Sequence, residues 1–191
     1  MLVEYGPEKP RARMNTGDAL VVHLRPGASL LAGKILHYRA MGGFTELFAL
    51  YDLFFDEEAP VKLILERASA GGPALMAPLL VGPDLVRSGF ARKIGKAAVS
   101  DEELDAVRMI APPRAMMWER DDHPLCTYFD VKLGSYRLND RSRESDYTVD
   151  WQGDAARNES GQPLGIWGTV PNVAKYERML LDVLEARKGT T

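Results

Sequence analysis

The chain has 191 residues, 46% of them hydrophobic and 27% charged, with a formal net charge of −3 at pH 7. That length suits one domain burying roughly 70% of its unfolded surface, and the composition excludes wholesale disorder. The slight negative charge gives no electrostatic ground for a nucleic-acid or anionic-membrane partner, the single Cys126 excludes an intrachain disulfide, and no apolar run reaches membrane-spanning length.

Residues 1–16 carry Pro7 and Pro10 without sustained periodicity and read as an extended N-terminal arm. Charge and proline stand in MLVEYGPEKPRARM where a signal peptide needs an apolar stretch, so the reading is a soluble, cytoplasmic protein. Residues 17–189 are expected to form a single α+β domain. DALVVHL, LLAGKILHY and ELFALYDLFF are apolar runs of strand length separated by Pro26-Gly27 and Gly42-Gly43. They predict three consecutive antiparallel strands, the third the most buried.

RPGASLLAGKIL resembles a phosphate-binding loop but fails its spacing: five residues separate Gly27 from Gly33, and Ile35 stands where a magnesium-holding hydroxyl belongs. GFARKIGKA fails the same way, with five residues between Gly89 and Gly95 and Ala97 after Lys96.

EAPVKLILERA predicts a short helix, with Pro60 near the first turn and Val61, Ile64 and Leu65 as its apolar stripe. ALMAPLLV contains Pro78, which cannot donate to a ladder and so belongs at a sheet edge or bulge. FARKIGKAAV is a further strand. In SDEELDAV, Ser100 and Glu103 match a capping box and predict one or two turns of helix.

RAMMWE and CTYFDVKL are later strands, the second alternating Thr127, Phe129, Val131 and Leu133 against Cys126, Tyr128, Asp130 and Lys132. Residues 134–163 are polar and read as a long hairpin or mobile loop. VPNVAKYERMLLDVLEARKG is the clearest helix, with Val173, Tyr176, Leu180, Val183 and Leu184 forming a stripe and Gly189 as its stop. The whole predicts a twisted, mainly antiparallel sheet or partly open barrel with a C-terminal helix packed on it.

His123 and Cys126 form an H-x-x-C pair beside Asp121 and Asp122, short of the three or four ligands zinc requires. His23 and His37 lie inside apolar strands, where a hydrogen-bonded structural histidine is the simpler reading. No G-x-S-x-G occurs, and Cys126 lacks the flanks of a thiol nucleophile. No catalytic residue, metal site or cofactor is assigned. Arg87, Arg92, Lys93 and Lys96 cluster around Phe90, an element able to touch phosphate but equally a wet strand face.

The order of these features resembles the immunity protein 26 family of bacterial polymorphic toxin systems. The residues that carry the resemblance are GDALVVHL at Gly17, AGKIL at Ala32, FALYDLFF at Phe48, VRSGFARKIGKA at Val86 and GIWGTVPNVAKYERMLL from Gly165. Phe90 replaces the tryptophan that the family pattern has after the Ser-Gly step. The resemblance implies a non-enzymatic cytoplasmic protein that binds a cognate protein toxin, usually encoded beside it, and brings no catalytic residues. Against a basic toxin cleft the expected interface residues are Glu57, Glu58, Asp121, Asp122, Asp146 and Asp150. The competing readings are an SH3-like barrel binding nucleic acid or peptide, and an enzyme whose site gathers distant residues.

Overall fold

A computed structural model describes residues 3–9, 11, 13–25, 29–37, 46–76, 79–106, 109–111, 127–130, 135–138, 150–152, 155–157, 163–166 and 172–188, with side chains described through residue 104 except at position 37, and again from 172. The first three apolar runs form β1 (Asp18–Leu24), β2 (Ser29–His37) and β3 (Glu46–Asp56), each antiparallel to the last. A short β4 (Leu79–Val81) pairs with β3, and β5 (Ala91–Lys96) returns to pair with β1. The resulting five-stranded sheet has the order β4-β3-β2-β1-β5 and stays open, with β4 and β5 as its edges. Pro78 lies outside the described residues; the strand that follows it is an edge, where a missing donor costs least.

Helices cover both faces of this sheet. On one face the C-terminal helix α4 (Val173–Lys188) buries Tyr176 and Leu180 against Leu20, Val22, Ile35, Phe48, Leu50 and Phe90. Val173, Val183 and Leu184 complete its apolar stripe as partly buried neighbours. Asn172 starts the helix by accepting the Lys175 amide on its side-chain oxygen at 2.8 Å, satisfying one free donor of the first turn. A four-residue helix, α2 (Asp84–Arg87), adds Leu85 and Val86 to the same core. On the other face α1 (Val61–Ala70) sets Ile64 against Val21, Leu30 and Ala32. Beyond it α3 (Asp101–Ala106) packs Leu104 beside Leu36, Leu47 and Tyr51.

Two expectations are corrected by this layering. The third strand is not the most buried: β2 is central and buried continuously from Leu30 to Leu36, whereas β3 is buried only from Leu47 to Tyr51. A strand covered on both faces shows an unbroken apolar run, but the last part of β3 extends towards solvent. Val61 is 48% exposed instead of leading the stripe of α1, whose buried positions are Ile64 and Ala68. The helix begins one residue after Pro60, so Val61 occupies its first turn.

The N-terminal segment runs along the end of the sheet. Val3 is buried and bridges to Leu24, the Glu4 amide donates to the His23 carbonyl at 2.9 Å, and the Gly6 amide donates to the Gly89 carbonyl at 2.8 Å. Glu177 of α4 accepts from the Val3 amide at 3.2 Å and from the Tyr5 hydroxyl at 3.1 Å, fastening the segment to the helix.

The remaining strands are β6 (Met109–Ala111), β7 (Thr127–Asp130), β8 (Ser135–Leu138), β9 (Asp150–Gln152), β10 (Ala155–Arg157) and β11 (Pro163–Ile166). They form a second sheet ordered β8-β7-β6-β11-β10-β9, antiparallel except for the β6–β11 pair. Residues 134–163 thus carry β8, β9 and β10, the last two paired as a hairpin. The segment RAMMWE and Gly189 lie outside the described residues, as do the side chains expected to alternate along 126–133.

Candidate functional site

The described parts of the two near-P-loops are not phosphate cradles: Gly33 and Lys34 lie inside β2 and Gly95 and Lys96 inside β5, extended strands whose successive N–H groups alternate in direction and do not converge on a phosphate, while Gly27 lies outside the described residues. Lys34 is fully buried. Its ammonium group lies 2.7 Å from Glu103 Oε1 and donates to the Ala98 carbonyl at 2.6 Å. The Tyr51 hydroxyl donates to the same carboxylate at 2.6 Å.

Glu103 also closes the capping box, accepting the Ser100 amide at 2.9 Å while its own amide donates to Ser100 Oγ at 3.1 Å. Burial alone would raise the Glu103 carboxyl; the Lys34, Tyr51 and Ser100 bonds outweigh it and hold the group below the usual carboxylate range. The Tyr51 hydroxyl is pushed upward by burial and by this carboxylate.

The basic strand is likewise engaged. Lys93 and Lys96 approach the wholly buried Asp18 carboxylate at 2.8 and 2.7 Å, and the Asn15 amide donates to its other oxygen at 2.8 Å. Burial favours the neutral Asp18, but these donors win and lower its pKa. Phe90, 1% exposed, packs edge-on against Tyr5 and Tyr176 and offers no stacking face for a base. The cluster that resembled a phosphate-touching element is therefore built around a core aromatic and a buried aspartate.

Arg92 meets His23, whose other ring nitrogen lies 4.0 Å from Glu57 Oε1. Burial and the Arg92 charge lower the His23 pKa; Glu57 and Glu4 oppose them more weakly. Nearby, Arg25 pairs with Glu4 at 2.9 Å. Glu57, expected at an interface, is thus placed beside a partly buried histidine at the end of β1.

The adjoining corner is open to solvent. From Phe54 to Leu63, through the end of β3, the turn and the start of α1, eight of ten residues are exposed. Asp56, Glu57 and Glu58 stand at its tip, and neither Asp56 nor Glu58 has an ion-pair partner among the described residues. On one flank Phe54, 41% exposed, lies beneath Arg187 of α4, which also pairs with Asp52. On the other flank Leu53, Phe55 and Ala59 pack against Ile64 and hold α1 to the sheet. Val61 and Leu63, at 48% and 41%, stay in solvent.

Of the other expected interface residues, Asp150 is placed only as the first residue of β9, and Asp121, Asp122 and Asp146 lie outside the described residues. So do His123 and Cys126, while His37 ends β2. Among the described residues no group of three or more His, Cys, Asp or Glu converges as metal ligands would, and no helix is long and apolar enough to cross a membrane.

The Lys34–Glu103 pair and the Lys93 and Lys96 contacts to buried Asp18 escaped the sequence reading, since each joins residues more than sixty positions apart. The one local signal was the capping box, which identified Glu103 but not its buried lysine.

No family model, curated protein or solved structure matches this chain.

Proposed function

We propose that this chain is a cytoplasmic immunity-type protein that binds a cognate bacterial toxin and blocks it by occupying the toxin's surface. The observation that carries this reading is the acidic turn Asp56-Glu57-Glu58, exposed at the end of a strand whose first half is anchored in the core. Carboxylates gathered at a strand end and the turn after it steer a basic partner and set its register, because complementary charge raises encounter rates and penalises wrong partners. The order of short motifs, which resembles that of the immunity protein 26 family, is a further ground for this reading.

A standard interface needs about 800 Å² from each partner, a small share of the 11438 Å² this chain exposes. The expected acidic interface comprises Glu57 and Glu58 together with Asp121, Asp122, Asp146 and Asp150. Mixing the purified chain with a toxin-like domain found encoded beside its gene tests the proposal. A one-to-one complex that dissociates as salt is raised is expected, and no complex at micromolar concentrations would overturn it.

A further inference from the structure

A cavity of about 200 Å³ opens where the end of β4 and α2 meet the start of α4. Its walls are apolar: Val81, Leu85 and Tyr176 are buried, and Val173 is partly so. A dry cavity of about 150 Å³ with such walls holds benzene, so this one admits a single ring with a short tail. Asp84 and Asn172 line it as exposed residues and stand at its rim. Asp84 has no ion-pair partner among the described residues and brings the charge of the described lining. The start of α4 does not make this an anion site, because Asn172 already covers the Lys175 amide with its side-chain oxygen and the Asp84 carboxylate repels an anion.

Tyr176 adds a second polar group. Its hydroxyl is buried without a hydrogen-bond partner among the described residues, whereas buried polar groups nearly always have one. A helical side chain leans toward the N-terminus of its helix, the end of α4 at which the cavity lies. We propose that this cavity binds a small protonated arylalkyl amine with a hydroxyl on its ring. Asp84 holds the ammonium group at the rim, the ring lies against Val81, Leu85 and Val173, and the ring hydroxyl meets the Tyr176 hydroxyl. Each group selects one part of the ligand: a carboxylate favours a cation, apolar walls favour a ring, and a buried unpaired hydroxyl favours a polar substituent over a bare ring. The cavity shares no residue with the acidic turn, so this inference stands apart from the toxin-binding reading.

Tyramine is the probe, titrated into the full chain while the methyl resonances of Val81, Leu85 and Val173 are followed. Saturation with a Kd of about 1 mM is expected for a ligand of this size. Phenethylamine, which lacks the ring hydroxyl, should bind about fivefold more weakly, and tyrosol, the matching neutral alcohol, about tenfold more weakly. Asp84→Asn should erase the preference for tyramine over tyrosol, and Tyr176→Phe the preference for tyramine over phenethylamine. Asp84 is exposed and Tyr176→Phe keeps the packed ring, so both variants should unfold with the parent's midpoint or above it. Glu185→Gln, on the exposed face of α4, should bind tyramine as the parent does and so separates the site from net charge. No saturation at concentrations on the order of 10 mM, shifts confined to residues outside the cavity, or a preference that survives its substitution would overturn the proposal.

Discussion

Lys34 Nζ lies 2.7 Å from Glu103 Oε1, joining the central strand of the sheet to the first turn of α3. The lysine has no exposed surface, so this carboxylate and the Ala98 carbonyl take the place of water around its ammonium group. Removing one member strands a buried charge. Glu103→Gln is expected to destabilise the fold by roughly 3–5 kcal/mol, whereas replacing both by apolar residues of similar volume should cost much less. Urea unfolding of the single and double variants measures the difference. An additive double variant would show that the pair is not coupled.

Tyr176 predicts the opposite sign. Its hydroxyl is buried without a hydrogen-bond partner among the described residues, and burial pushes its pKa upward. The ring packs against Phe48 and Phe90, so the apolar part of the side chain contributes what the hydroxyl does not. Tyr176→Phe should be neutral or stabilising by up to ~1 kcal/mol, since it removes an unsatisfied polar group and keeps the ring. A loss of more than ~1 kcal/mol in denaturant unfolding would mean the hydroxyl has a partner that matters.

Two glycines mark close approaches. At Gly33 a Cβ would lie 2.6 Å from the Phe48 ring and 2.8 Å from the Ala49 carbonyl oxygen. At Gly89 it would run into the Gly6 backbone, and φ is +79°. Alanine at either position is expected to lower the unfolding midpoint by the equivalent of about 1–3 kcal/mol. At Gly89 the loss should be accompanied by faster proteolysis of the N-terminal segment. Unchanged midpoints would contradict these contacts.

Glu46 sets a pH dependence. It opens β3 opposite Val81, one carboxylate oxygen is buried without a partner among the described residues, and burial raises its pKa to about 7 despite the opposing charge of Arg87. With the folded pKa above the unfolded one, the native state binds more protons between the ordinary carboxylate range and pH 7. The Glu46 contribution to stability is therefore full below that range and is lost as pH rises through about 7. Asp18 and Glu103 act in the other direction: with folded pKa values lowered, their stabilisation is lost as pH falls through the acidic range. Unfolding measured across pH should show Glu46→Gln flattening the loss near neutrality while leaving the acid limb intact.

The sequence disclosed those parts of the fold that depend on local pattern. β1, β2 and β3 follow from apolar runs broken by Pro-Gly and Gly-Gly, α3 from its capping box, and α4 from a stripe at helical spacing. Parts fixed by distant partners were not legible. Lys34 resembled the lysine of a phosphate loop because nothing beside it in sequence reveals Glu103, 69 residues on. Val61 fits an apolar stripe, yet lies in the first turn of α1 and remains exposed. At the candidate site the acidic turn was evident from its residue types. The exposed flanks Phe54 and Leu63 were not, because the faces they occupy depend on where α1 and α4 pack.

Co-expression decides most directly whether the chain neutralises a toxin. A toxin-like domain found encoded beside its gene would be induced in a susceptible host with this protein, with its Glu57→Lys/Glu58→Lys variant, or with empty vector. The toxin-binding reading predicts growth with the parent, impaired growth with the charge-reversed variant and arrest with the vector. Arrest by the toxin despite full expression of the parent protein would contradict it.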